Sequence, residues 1–394
     1  VERNAGCNCA MPEINSPLPR PLPETERGVF TPPSLSGKGA GGLGKETDMK
    51  RFTMYAIIFL AITFVFHSTD SLAKTVLKLN HQFRADTAAS KLDQWFADEV
   101  KTATNGEIEI RFFWSNGLGE AKQNLPMFKN DTIDMAVMVA GYFPKELPFF
   151  SAPNSLPMAM DNICQASELM KALMEKIPAY TEEASQNGIR PLYFHLLNPY
   201  LLVSKTPITK FSDLKDKRIR TWGDDMPMLM KAAGATPLTL FLPDIYEALK
   251  RGTLDACPLS VDMIETYKVD ELVKHITEVV IWEGPAVGLW ISEKTWKTLS
   301  SAHQKIMLEI SEKARKKEIP MTLEAERISR ESLKAKGVTF HQFPPEELAK
   351  WKKASPDFFQ EWINRMDKLG KKEAAEQAVR LWKEMRAAIV QCPK

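Results

Sequence analysis

The chain has 394 residues, 44% hydrophobic and 26% charged, with 52 basic side chains against 50 acidic ones. That supplies enough apolar material for a globular protein of two domains, while a net charge of +2 without basic blocks points away from nucleic acid. Cys7 and Cys9 lie in a low-complexity segment, and Cys164, Cys257 and Cys392 form an odd set at wide spacing. This spacing allows one disulfide without assigning it, and the lack of close Cys or His pairs outside that segment argues against a metal site.

Residues 1–48 are rich in Pro, Gly and Ser and carry no apolar period. They are expected to be disordered and read as a non-native extension ahead of a true start at Met49. Gly37, Gly39 and Gly42 spell G-x-G-x-x-G, and Gly39 to Lys45 spell G-x-x-x-x-G-K. Neither follows a buried strand, and Glu46 stands where a phosphate loop needs Ser or Thr, so no nucleotide cofactor is expected. From Met49 the character changes: Lys50 and Arg51, an apolar core from Met54 to Phe66, and Ser71-Leu72-Ala73 make a secretory signal peptide over 49–73, cleaved after Ala73. The apolar run is shorter than the roughly 20 residues that span a bilayer. The mature protein is therefore expected in a periplasm, without a lipid anchor, since no cysteine follows the cleavage point.

Val76 to Asn80 alternates as a strand, and the helix after it has Leu92, Trp95, Phe96 and Val100 as its apolar face. Ile108 to Phe113 is a second strand. Alternating strands and helices predict an α/β fold with a mainly parallel sheet. Ligands in such sheets sit beyond the carboxyl ends of strands, which directs attention to His81, Gln82 and Ala140 to Phe143. His81 is a candidate ligand contact, although a lone histidine is more often structural; Tyr142 either offers its hydroxyl to a ligand or packs. Residues 161–187 read as one Met- and Leu-rich helix, whose Met stripe is core rather than a cofactor box. Pro191 to Val203 reads as a strand crossing between domains.

Residues 211–271 read as strand, helix, strand, helix, strand, with Arg220 at the tip of the first strand just before Gly223. A helix is expected from about Pro227 to Ala233, with Asp224 and Asp225 as candidate N-caps. A guanidinium between a strand end and a helix start suits an anion: the helix offers free N–H groups, and arginine offers a planar fork of donors. The competing reading pairs Arg220 with Asp224 or Asp225. Trp222 shares the strand face of Arg220 by the period of two and either stacks on a ligand or packs between domains. Asp262 either reads a polar group of the ligand or caps the helix that follows. Ile276 to Trp282 and Val287 to Ile291 read as two strands, and Ser300 to Lys336 as a long helix kinked at Pro320. Pro344 to Gly370 and Lys371 to Gln391 read as two outer amphipathic helices.

This stretch resembles the solute-binding proteins of tripartite ATP-independent periplasmic (TRAP) transporters, the dicarboxylate-binding family 7 of extracellular solute receptors. The resemblance rests on Asp213-Leu214-Lys215, Lys217-Arg218-Ile219-Arg220, Gly234-Ala235-Thr236-Pro237, Tyr246-Glu247-Ala248-Leu249 and Gly252-Thr253-Leu254-Asp255, and extends from Lys74 to the C-terminus. It implies a two-lobed periplasmic-binding-protein-like fold with hinge strands and a long helix spanning both lobes. The lobes are expected over 74–197 plus 286–325 and over 198–285 plus 326–394. In that family the arginine at the Arg220 position grips the ligand carboxylate, and a membrane permease receives the solute. Many relatives carry a second arginine about 20 residues earlier, where this chain has Pro199 and Tyr200, and Asn198 and Tyr200 are expected to meet the rest of the ligand instead. The stretch Cys257 to Asp262 likewise replaces acidic or amide residues of relatives. Trp222 and the missing arginine lean toward an aromatic or branched monocarboxylate.

The resemblance thus implies a receptor that catalyses nothing and binds a small-molecule carboxylate. A carboxylate sensor for a signalling partner is the first alternative. A two-lobed α/β transferase is the second, and the chain carries no G-x-S-x-G, no H-E-x-x-H and no tight His/Cys/Asp cluster to support it.

Overall fold

The computed structural model describes residues 74–388 and Cys392. The extension and signal peptide expected over 1–73 lie outside the described residues. The first wing of the sheet is β1 (Thr75–His81), β2 (Ile108–Phe113) and β3 (Met135–Val139), with β1 parallel to both neighbours. Between β1 and β2 runs α1 (Ala88–Ala103), which begins where the Thr87 hydroxyl accepts the Ser90 N–H at 3.1 Å. Its buried face includes Leu92, Phe96 and Val100, the stripe that the sequence marks as apolar. After β3 comes a short wholly buried helix, α2 (Pro148–Ser155), started by Pro148.

The strand β4 (Ile189–Ser204) leads into the second wing, β5 (Arg218–Thr221), β6 (Thr236–Thr239) and β7 (Ala256–Ser260), where β5 is parallel to both neighbours. Helix α3 (Asp225–Ala232) follows β5. The return strand is β8 (His275–Ser292), which pairs antiparallel with β4 from Ile189↔Ser292 to Ser204↔His275. At its far end β8 pairs with β3, while β4 pairs with β7, so these two long strands carry the chain between the wings. The sheet order is β2-β1-β3-β8-β4-β7-β5-β6, with β9 (Thr339–Gln342) against β8. The sheet is therefore mixed rather than mainly parallel: β1–β3 and β5–β7 are parallel triplets, and β3, β4 and β7 run against their linking partners.

Residues 276–291 form one strand rather than the two expected. Pro285 pairs with Leu196, and register shifts at His195/Leu196 and Leu197/Tyr200 absorb the missing N–H. The expected helix over 161–187 divides into Ile163–Lys176 and Pro178–Gln186, because Pro178 ends one helix and opens the next. The region 344–370 likewise divides into Pro345–Ala354 and Phe358–Lys368 on either side of Pro356. The long helix, α4 (Ser301–Ala335), runs through Pro320 for 35 residues, about 52 Å at the usual rise. It packs on α1, on β4 and on the helix Val261–Thr266, thereby touching both wings. A disulfide joins Cys164 to Cys392, with Cα atoms 5.4 Å apart, while Cys257 is a buried free thiol.

Candidate ligand-binding site

Arg220 stands at the carboxyl end of β5, between Leu238 of β6 and the β7 edge. It is 3% exposed, and its Nε donates to the Leu240 carbonyl at 3.1 Å and its Nη1 to the Pro258 carbonyl at 3.4 Å. The guanidinium carbon lies 4.6 Å from the centre of the Trp222 ring, a cation–π contact. Neither candidate aspartate pairs with it: Arg365 takes Asp225 at 2.7 Å and lies 3.9 Å from Asp224. Burial raises the Asp225 carboxyl to about 6 even against that arginine.

Immediately after Trp222 the chain turns at Gly223, φ +59°, where a Cβ would lie 2.6 Å from the Ser155 Cβ. Only glycine lets β5 end that close to α2. This approach places the Trp222 Nε1 2.8 Å from the Asn154 carbonyl, to which it donates. Trp282, opposite Tyr200 on the linking strands, donates in the same way to the Pro153 carbonyl at 3.0 Å. Two indoles thus clamp the end of α2 and form walls of a tight, partly open cavity. Arg220, Trp222, Tyr200 and Tyr142 line it, joined by Asn154 and Trp282. Larger hollows exist, such as one of about 820 Å³ beside Glu182 and Lys371, but that one is an open surface groove with no buried charge.

Of the seven residues singled out from sequence, four meet here. Burial raises the Tyr142 phenol while the Arg220 charge partly offsets the rise, which places that hydroxyl in the guanidinium's field. Tyr200 shows the same balance, raised by burial and opposed by Arg220. The other three lie elsewhere. His81 is fully buried, with its Nδ1 accepting the Phe83 N–H at 3.1 Å and its Nε2 2.8 Å from Asp93. Asn198 donates to Asp262 and to the Thr322 carbonyl, both at 2.9 Å, and neither Asn198 nor Asp262 lines the cavity. Nor does any residue of α3, so the helix start expected to assist Arg220 is not part of the wall. Sequence reasoning missed Asn154 and Trp282. The pair Pro148 and Pro153 around an apolar run was the available sign that a short buried helix stops near the site.

The arrangement suits anion capture. The one cysteine near Arg220, Cys257, has its thiol pushed up to about 12 by burial against the pull of Arg220, so it is no nucleophile. Among the described residues no group of three or more His, Cys, Asp or Glu is placed to hold a metal, and no helix is long and apolar enough to cross a membrane.

The model of the bacterial extracellular solute-binding protein family 7 matches residues 79–365. A curated relative is the C4-dicarboxylate-binding periplasmic protein of Rhodobacter capsulatus, 24% identical over 74% of this chain and 87% of its own. Among solved structures, a TRAP periplasmic solute binding protein from Desulfovibrio salexigens with bound orotic acid superposes with TM-score 0.72. It is 20% identical over 80% of this chain and 100% of its own. A marine metagenome TRAP solute binding protein specific for aromatic acid ligands, in complex with 3-hydroxybenzoate, also gives 0.72, at 20% identity over 81% of this chain and 100% of its own. With the two-lobed α/β fold and a buried arginine at its cavity, the chain belongs to the bacterial extracellular solute-binding protein family 7, the solute receptors of TRAP transporters.

Proposed function

We propose that Arg220 takes the carboxylate of a small organic acid, that the two lobes close over it, and that the loaded receptor hands it to a TRAP-type membrane permease. One observation carries the proposal: a nearly fully buried guanidinium, bonded to two backbone carbonyls and an indole face, lines a partly open cavity without a carboxylate partner among the described residues. A buried cation whose only partners are neutral is an incomplete pair, and an incoming carboxylate completes it. Trp222, Tyr142 and Tyr200 hold the body of the ligand, while His81, Asn198 and Asp262 brace the walls from behind.

The lobes are 74–197 with 286–325 and 198–285 with 326–394, hinged on β4 and β8. Their register shifts between His195 and Leu202 supply the irregular backbone that a hinge needs. The mature receptor begins at Lys74 and works in the periplasm, the compartment named for the Rhodobacter and Desulfovibrio relatives. Its family consists of transport receptors rather than enzymes.

A charge-assisted hydrogen bond contributes about 1.5 to 3 kcal/mol. Arg220→Ala is therefore expected to weaken binding of any acid found in a thermal-shift screen at least tenfold in calorimetry, with the circular dichroism spectrum unchanged. Equal affinity in the two proteins refutes the assignment.

A further inference from the structure

With Arg220 read as the carboxylate anchor, the remaining polar atoms of the cavity decide which acids it accepts. Nine of the eleven lining residues are aliphatic or aromatic; the other two are Arg220 and Asn154. No lysine, histidine or second arginine lines the cavity, so a second ligand carboxylate would be buried without a partner. No aspartate or glutamate lines it either, and a ligand ammonium would be stranded in the same way. These two vacancies of charge exclude dicarboxylates and α-amino acids.

The hydrogen-bonding capacity is as restricted. Both indole N–H groups are committed to the Asn154 and Pro153 carbonyls, the Tyr200 hydroxyl faces the Met263 sulfur at 3.8 Å, and the Tyr142 hydroxyl is engaged by Arg220 and the Leu242 backbone. Asn154 is 4% exposed, and its side-chain Oδ1 has no hydrogen-bond partner. That oxygen rests where a Cβ on residue 141 would fall, 1.7 Å away, so Gly141 makes the room the amide occupies. A buried acceptor without a donor is costly, and a site built around one rejects ligands that cannot supply it. Sugar acids fail for the opposite reason, since most of their hydroxyls would enter a carbon-walled space.

The walls add a third restriction. They include Tyr200, Trp222 and Trp282, set edge to face at 67 to 82° with ring centres 5.1 to 6.3 Å apart. Aromatic walls of this kind favour an apolar, ring-bearing body over a hydroxylated one.

We propose that the solute is a ring-bearing monocarboxylate carrying one O–H or N–H donor, and that Asn154 is the residue that selects for this donor. The proposal rests on Arg220 as anchor, and the test keeps the two apart. Calorimetry on the mature protein is run with benzoate, 3-hydroxybenzoate, 4-hydroxybenzoate, pyrrole-2-carboxylate, succinate and glutamate. At least one donor-bearing ring acid is expected to bind tenfold or more tighter than benzoate, and succinate and glutamate at least a hundredfold weaker than the best ring acid. Asn154→Leu is expected to erase the ratio between donor-bearing and donor-free rings. Gly141→Ala, which displaces the amide and leaves Asn154 in place, is expected to shrink the same ratio. The proposal is overturned if none of the ring acids binds, if succinate or glutamate matches the best of them, or if the ratio survives Asn154→Leu. Arg220→Leu is read on absolute affinity alone: undiminished binding there sinks the anchor, whereas the donor ratio judges Asn154.

Discussion

Two buried cations in this protein are satisfied in opposite ways. His195, on β4, is fully buried with Glu318 of α4 at 2.7 Å from its Nδ1 and Asp93 of α1 at 3.1 Å from its Nε2, the latter near enough for charge but not aligned as a hydrogen bond. Asp93 also receives the Tyr193 hydroxyl and the His81 ring, so the imidazole sits among carboxylates that are themselves held. Arg220 is buried as deeply, yet it has carbonyls, an indole face and the Tyr142 phenol around it, all neutral, and a cavity in front. A cation surrounded by carboxylates is finished, and it ties its own strand to the two helices that supply them. A cation surrounded by neutral groups is waiting for an anion. Burial alone does not mark a binding residue; burial without a countercharge does.

The largest effect that sharpens this contrast comes from breaking the finished pair. Asp93→Ala leaves the His195 imidazolium, the Tyr193 hydroxyl and the His81 ring short of a partner. It is expected to lower the unfolding free energy in urea by about 3 to 5 kcal/mol, as removal of one member of a buried pair does. A loss within experimental error would mean that the network carries no charge.

Much of the fold was legible because it follows from local patterns, and the network was not because it is assembled from distant ones. The strand Ile108–Phe113 and the stripe of α1 can be read directly from alternation and from the 3.6-residue period. Arg220 was legible because a strand tip followed by glycine is a local signal, strengthened by family motifs. Asp93, His195 and Glu318 lie far apart in sequence, and each sits at a position where periodicity expects an apolar side chain. Glu318 continues the buried stripe of Met307, Ile310, Ala314 and Thr322 on α4. Only the packing of α1, β4 and α4 reveals why charge is tolerated there. Asn154 stayed hidden for a similar reason: its value depends on Gly141 and Trp222 arriving from elsewhere.

The next effect is on pH. Burial opposes the charge on His195, but Asp93 and Glu318 outweigh it and raise the imidazole from its ordinary 6.5 to about 10. A folded value above the unfolded one means stability that is complete below about pH 6.5 and is lost as pH rises toward 10. The slope is at most about 1.4 kcal/mol per pH unit. His81 is shifted the other way, lowered mainly by burial, so its contribution is lost as pH falls below 6.5. Unfolding free energies measured from pH 7 to 10 are expected to fall, and His195→Gln is expected to make that alkaline limb shallower.

A smaller effect is expected at the unfinished cation. Arg220→Met replaces a buried charge without a countercharge by an apolar chain of similar length, a change that is neutral or stabilising elsewhere. The unfolding free energy of the ligand-free protein is expected to stay within about 1 kcal/mol of the parent, while ligand affinity falls. A drop comparable to that of Asp93→Ala would show that Arg220 holds the fold and is not held by it.

The smallest effect is expected two residues earlier on the same strand. Arg218 and Arg220 share a face of β5 by the period of two, about 7 Å apart along the chain. Arg218, however, stands at the exposed edge and is already paired, its Nε and Nη2 donating to Asp255 at 2.9 and 2.6 Å. At physiological ionic strength the Debye length is about 8 Å, and an exposed, neutralised charge at that range adds little field inside the cavity. Arg218→Ala is therefore expected to leave ligand affinity within about twofold of the parent at 0.15 M salt. If it instead matched the loss caused by Arg220→Ala, and if lowering the salt enlarged both losses together, the anion would be held by the general field of the strand tip. Contact with one buried guanidinium would then no longer be needed to explain capture.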